Sequence, residues 1–81
     1  NADFTIKKDG TERLRIESGG DIGINTSNPT VKLDISEDGV AFPSPAGSTL
    51  LRLRNSGGTA TISIDSAANA NSVIQFGDTA A

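Results

Sequence analysis

Glu12-Arg13-Leu14-Arg15-Ile16-Glu17-Ser18-Gly19-Gly20-Asp21-Ile22-Gly23-Ile24-Asn25-Thr26-Ser27-Asn28-Pro29-Thr30-Val31-Lys32-Leu33-Asp34-Ile35 is the stretch on which the fold turns. Its apolar residues recur every second position: Leu14 and Ile16, then Ile22 and Ile24, then Val31, Leu33 and Ile35. A period of two places alternate side chains on opposite faces of a strand, one toward a core and one toward water. Ser18-Gly19-Gly20 and Thr26-Ser27-Asn28-Pro29 separate the three runs and carry the residues that turns demand. The stretch therefore reads as three short strands joined by two turns.

The same alternation extends in both directions. Phe4 and Ile6 precede it, and Asp9-Gly10 joins them to the Glu12–Ile16 run with the strongest short hairpin signal. Downstream, Leu51 and Leu53, Ile62 and Ile64, and Ile74 and Phe76 predict three further strands. Glu37-Asp38-Gly39 and Asn55-Ser56-Gly57-Gly58 supply turns. Strands of about five residues with turns this frequent indicate an all-β meander or a β-helix-like fibre. Phe42-Pro43-Ser44-Pro45-Ala46-Gly47 interrupts the pattern, because two prolines so close cannot sit in a central strand. The predicted organisation is one β segment over 1–41, a Pro/Gly/Ser linker over 42–48 and a second β segment over 49–81. Ser66-Ala67-Ala68-Asn69-Ala70-Asn71 carries no large apolar residue and reads as a loop. Leu14-Arg15-Ile16-Glu17-Ser18-Gly19-Gly20, followed by Ile22 and Ile24, is echoed by Leu51-Arg52-Leu53-Arg54-Asn55-Ser56-Gly57-Gly58, followed by Ile62 and Ile64. The spacing slips by one residue before the glycines, so these are two similar hairpins rather than a strict repeat.

Composition limits the chemistry. The chain has no Cys, His, Met, Trp or Tyr. Thiol catalysis, disulfide staples and thiolate or imidazole metal ligands are thereby excluded, as is a Ser-His-Asp triad. A net charge of -3 lacks the basic face that nucleic acid requires, so no nucleic-acid partner is expected. No apolar run approaches the roughly 20 residues that span a bilayer, and no charged-then-apolar leader is visible. The chain opens on Asn1 and reads as a stretch of a longer protein. Only 19 of its 81 residues are Val, Ile, Leu or Phe. A small chain with so few large apolar residues draws its stability from a disulfide, a metal or a partner surface. With disulfides excluded and no metal cluster in the sequence, a subunit interface is the expected solution.

Candidate sites are few. Asp9, Asp21, Asp34, Asp38, Asp65 and Asp78, with Glu12, Glu17 and Glu37, could supply the carboxylate pair of a glycan hydrolase. Solvation alone places such residues at turns and on the polar strand face. Glu37-Asp38-Gly39 lacks the alternating oxygen ligands and closing Glu of a calcium loop. Gly19-Gly20-Asp21-Ile22-Gly23 is followed by a strand, not by the helix a phosphate loop requires. Asn25-Thr26-Ser27 has the form of a glycosylation acceptor, a short pattern to which little functional weight attaches. Arg13, Arg15, Arg52 and Arg54 could meet acidic sugars, but arginines alternating on a strand more often pair across strands. Catalytic, cofactor and metal sites are accordingly expected to be absent.

Residues Gly10–Ile35 resemble the shaft repeat of bacteriophage tail fibres and tailspikes, G-t-E-R-L-R-I-d-s-x-G-n-V-G-I-G-T-t-x-P-x-x-K-L-D-V. The matching positions are Glu12-Arg13-Leu14-Arg15-Ile16, Gly20, Gly23-Ile24, Thr26, Pro29 and Lys32-Leu33-Asp34-Ile35. Residues Ser44–Asp78 resemble, less specifically, the opening of a following unit that ends in Val73-Ile74-Gln75-Phe76-Gly77-Asp78. In such proteins the repeat often precedes a self-cleaving, endosialidase-type chaperone, which this chain does not contain. Asn25 stands where the motif has a second Gly, and Asn tolerates left-handed backbone better than most residues. The resemblance implies short strands in a trimeric β-helical or β-prism shaft that positions a receptor-binding tip for host attachment. Ile16, Ile22, Ile24, Leu33 and Ile35 would face a common axis, with Arg13, Arg15, Glu17, Lys32 and Asp34 on the outer face or in cross-chain ion pairs. It implies a virion-tail location after synthesis in the bacterial cytoplasm. The implied partners are two further copies of the chain, other tail or baseplate proteins and, through the whole fibre, a bacterial surface glycan. Two other readings compete with this structural one: part of a polysaccharide depolymerase with an intersubunit acidic site, and a small monomeric sugar- or protein-binding β-domain.

Overall fold

The computed structural model describes residues 2–78. Five strands form one mixed sheet: β1 (Phe4–Lys8), β2 (Thr11–Ile16), β3 (Ile22–Ile24), β4 (Leu33–Ser36) and β5 (Leu51–Arg54). Spatial order follows chain order, β1-β2-β3-β4-β5. The first three strands form an antiparallel meander, and β4 and β5 then add in parallel. The chain is all-β, with no helix among the described residues and therefore none long and apolar enough to cross a membrane.

Local chemistry explains the meander. Asp9 and Gly10 both take positive φ, 54° and 78°, as a two-residue hairpin turn between the paired Lys8 and Thr11 requires. The pairing register slips between Ile6, opposite Leu14, and Lys7, opposite Glu12, so Arg13 is the extra residue of a β-bulge. Strict alternation from Leu14 would have placed Glu12 on the apolar face. The bulge resets the parity and brings Glu12 beside Arg15 instead. At the other end of β2, the Gly20 N–H donates to the Glu17 carbonyl at 2.8 Å and the Glu17 N–H to the Asp21 carbonyl at 2.9 Å, closing the turn into β3.

The crossover from β3 to β4 takes only residues 25–32 and contains no helix. The crossover loop packs directly on the sheet because Gly23 leaves it room. A Cβ on Gly23 would lie 2.6 Å from the Thr26 carbonyl oxygen and 3.3 Å from Pro29 Cδ. Asn25, with φ 59°, adopts the left-handed backbone expected of it. Its side-chain amide also donates to the carbonyls of Ser36 (3.0 Å) and Glu37 (2.8 Å), tying the end of β3 to the end of β4.

The register aligns ten apolar side chains in two rows on one face. One row is Phe4, Ile16, Ile22, Leu33 and Leu51; the other is Ile6, Leu14, Ile24, Ile35 and Leu53. None of the ten is buried. Phe4 is 58% exposed, Leu51 52% and Ile6 50%. The opposite face is the buried one: Thr26, Asp34, Ser36 and Arg54 lie inside it, and Val31 is the one buried large hydrophobic among the described residues.

Three sequence expectations are corrected. Asp34, expected on the outer face or in a cross-chain pair, is fully buried and paired within its own chain, because the 25–32 loop covers the polar side of the sheet. Residues 61–65 and 74–76 alternate like strands but form none, since a strand exists only where a neighbour pairs with its backbone and no strand among the described residues does so. Val31 precedes β4 in a bend rather than opening the strand. The Pro-containing segment is fastened to the sheet: Arg52 donates to the Pro43 carbonyl at 2.6 Å and Arg54 to the Val40 carbonyl at 2.8 Å. Phe42 places its ring 5.7 Å from the Arg52 guanidinium and 6.0 Å from that of Arg54. β5 thus belongs to the same sheet as the strands before the prolines. Residues 67–70 form a turn closed by an Ala70 N–H to Ala67 carbonyl bond of 3.0 Å.

Candidate functional site: a buried ion pair behind an open apolar face

The strongest polar constellation is centred on Asp34 and Arg54. They lie diagonally on adjacent parallel strands, since Asp34 is opposite Arg52 and Ser36 opposite Arg54. Arg54 grips the carboxylate with two donors, Nε to Oδ1 at 2.8 Å and Nη2 to Oδ2 at 3.2 Å. Nη2 also reaches Thr26 Oγ1 at 3.0 Å, while the Thr30 backbone N–H and hydroxyl both donate to Asp34 Oδ2 at 2.9 Å. Every buried side-chain polar atom among the described residues has a partner. Burial pushes the Asp34 carboxyl toward a higher pKa. The Arg54 and Thr30 hydrogen bonds together outweigh this, so its pKa lies below the usual aspartate value. This cluster offers no exposed acid and no vacant donor. Its chemistry is that of a clamp joining the 25–32 crossover, β4, β5 and the Pro-containing loop.

The other candidate carboxylates are dispersed among turns and ion pairs. Glu12 accepts both donors of a forked contact from Arg15, 2.8 and 2.7 Å, and Asp3 caps the same guanidinium from the other side. The Arg15 hydrogen bond lowers the Glu12 pKa, and the pair raises that of Arg15. Asp38 accepts the Ser56 hydroxyl and its backbone N–H, the latter at 3.1 Å, and the Val40 N–H at 3.1 Å. These bonds hold its carboxyl below the ordinary range, with the Ser56 hydroxyl contributing most. The Glu37–Gly39 turn is thereby a clasp for the turn after β5. Asp21 lies 3.6 Å from Lys32, exposed Asp9 lies 3.6 Å from Lys8, and Asp65 accepts from Ser63. Glu17 and Glu37 contribute backbone bonds at turns, and Asp78 is exposed in the C-terminal stretch. Among the described residues no three Asp or Glu side chains gather as metal ligands.

The Asn25-Thr26-Ser27 acceptor is closed off, with the Asn25 amide engaged and Thr26 buried. Arg13 reaches Asn25 Oδ1 at 3.3 Å, and Arg52 reaches Thr30 Oγ1 at 3.1 Å. The residues that sequence reasoning did not single out are Thr30, Ser36 and Phe42. No local pattern marks them, because their roles arise only when β5 lies beside β4.

Compared with known proteins, the chain matches no family model, no curated protein and no solved structure. Its dominant surface is the two-row apolar face. Strands about 4.8 Å apart and rows about 7 Å apart make a patch on the order of 300 Å² in plan. A patch of that size is at the lower end of the largest apolar patches that monomeric proteins expose, which are often functional.

Proposed function

We propose that this chain is a structural segment of a homotrimeric bacteriophage tail fibre or tailspike, which spaces and orients a receptor-binding tip for attachment. The observation that carries this reading is the inverted burial. Ten branched or aromatic side chains stand in register on one face with none of them buried, while charged and hydroxyl groups fill the interior. A single copy gains little hydrophobic stabilisation from such an arrangement. Three copies packing these faces around a common axis would remove the rows from water and complete one shared core. The resemblance of Gly10–Ile35 to the tail-fibre shaft repeat supports the phage assignment, and the dispersal of the described carboxylates among turns and ion pairs favours scaffold over enzyme.

Light scattering on the purified chain tests the reading. A β-rich particle of about three times 8.3 kDa is expected. A folded monomer would overturn it.

A further inference from the structure

The outer edge of β5 and the chain beyond it fit one another. In the parallel ladder the Leu33 N–H donates to the Leu50 carbonyl at 3.0 Å and the Glu37 N–H to the Arg54 carbonyl at 2.8 Å. Residues 50, 52 and 54 thus spend their backbone groups on β4, while Leu51 and Leu53 point theirs outward. β5 is the last strand of the sheet. Its edge carries no Pro, Lys or bulge to discourage further pairing.

Thr61-Ile62-Ser63-Ile64-Asp65 has the alternation of a strand yet lies unpaired, with Ile62 63% and Ile64 45% exposed. The internal echo says what such a segment is suited to pair with. After Leu14–Ile16 and its glycine turn, Ile22–Ile24 returns antiparallel along the preceding strand. Ile62 and Ile64 follow Leu51–Arg54 and the turn at 55–58 in the same order, over a connection three residues longer. Yet the chain does not make that return. Asn55 Nδ2 donates to the Thr59 carbonyl at 3.0 Å, and Asp38, beyond β4, holds Ser56. Residues 59–61 then wall a groove of about 520 Å³ that also includes Ile24, Ile35 and Leu53. The segment is thus led toward β3 and β4, leaving the outer edge of its own β5 open. The radius of gyration, 15.6 Å, exceeds the ~12 Å of a compact chain of this length, as an extended arm requires.

We propose that residues 61–65 of one copy add as a sixth, antiparallel strand to the open edge of β5 on a neighbouring copy. This rests on the self-association reading and names the strand and the edge that carry it. Backbone hydrogen bonds supply the attachment, and Ile62 and Ile64 extend the two apolar rows by one position each. The contact is head-to-tail, so three copies close it into a ring with no free β5 edge.

Because the chain has no cysteine, introduced pairs report without background. Full-length chain carrying Leu53→Cys with Ile62→Cys, or Leu53→Cys with Ile64→Cys, is oxidised at low concentration and resolved on a non-reducing denaturing gel, with light scattering beforehand. Covalent species of two and three chains in at least one variant are expected. A link within one chain, or none in either variant, from a particle of trimer mass overturns the arm exchange and leaves self-association standing. A monomer mass before oxidation overturns both. Independently, Ile62→Pro, at a residue outside the five-strand sheet, removes a ladder donor from the arm, because the Ile62 backbone faces Leu53 in this register. It should raise the concentration needed for assembly by roughly tenfold with the circular dichroism of the monomer unchanged. An unaltered assembly midpoint would count against the proposal.

Discussion

Asp34 and Arg54 carry opposite charges into a place where neither is tolerable alone. Removing one partner of a buried, hydrogen-bonded pair leaves an uncompensated charge and typically costs about 3–5 kcal/mol. Arg54→Ala is expected to lower unfolding stability by about that amount in urea titrations, and also to free the Val40 carbonyl. The pair has a pH signature. The unfolded carboxyl takes up its proton near the ordinary value of about 3.9, whereas the folded one does so only at lower pH. Between those points the unfolded chain binds more protons, so stability falls with acidification below about pH 4 and the contribution is lost as pH drops through the folded pKa. In Asp34→Asn that slope should flatten; an identical acid profile in the two proteins would remove Asp34 from the account. Gly23 is a second such residue. The atom a Cβ would meet is backbone, Thr26 O at 2.6 Å, and cannot swing aside. Gly23→Ala should therefore cost about 1–3 kcal/mol, read from the same titrations.

At the scale of elements, the meander and the parallel pair are held by different means. The β1–β2 hairpin depends on its turn. Gly10 sits at φ 78° with open space around a hypothetical Cβ, so Gly10→Ala should cost only the left-handed backbone penalty, about 1–2 kcal/mol. A cost well above that in thermal unfolding would mean that the turn makes contacts absent from this structure. The β4–β5 pair instead depends on side chains reaching across the crossovers: Arg52 and Arg54 hold the Pro-containing loop that links the two strands. The bulge at Arg13 is what allows the Glu12–Arg15 fork, since residues three apart on a regular strand face opposite ways.

For the whole molecule, the proposed self-association rests on the balance of faces. The apolar rows run from Phe4 on one edge strand to Leu51 on the other, so a charge at their centre would disturb an interface without touching the buried polar side. Ile24→Asp should dissociate the assembly to monomers in sedimentation velocity, with Asp34 and Arg54 still paired. Retention of the trimer would place the interface elsewhere.

The sequence by itself determined the β class, the Asp9-Gly10 hairpin, the glycine and proline turns, and the apolar set that shares one face. These are local properties: a period of two and the φ requirements of turns act over a few residues. It also marked Asn25 as the residue able to take a left-handed backbone. Only the tertiary structure decided that Asp34 is interior rather than solvated. Asp34 and Arg54 lie 20 residues apart, and their meeting depends on β5 passing over the prolines to lie parallel to β4. The same holds for the bulge at Arg13 and for the unpaired 61–65 and 74–76 segments. Alternation specifies which way side chains point, but a strand also needs a backbone partner, and which strand lies beside which is a property of the folded chain.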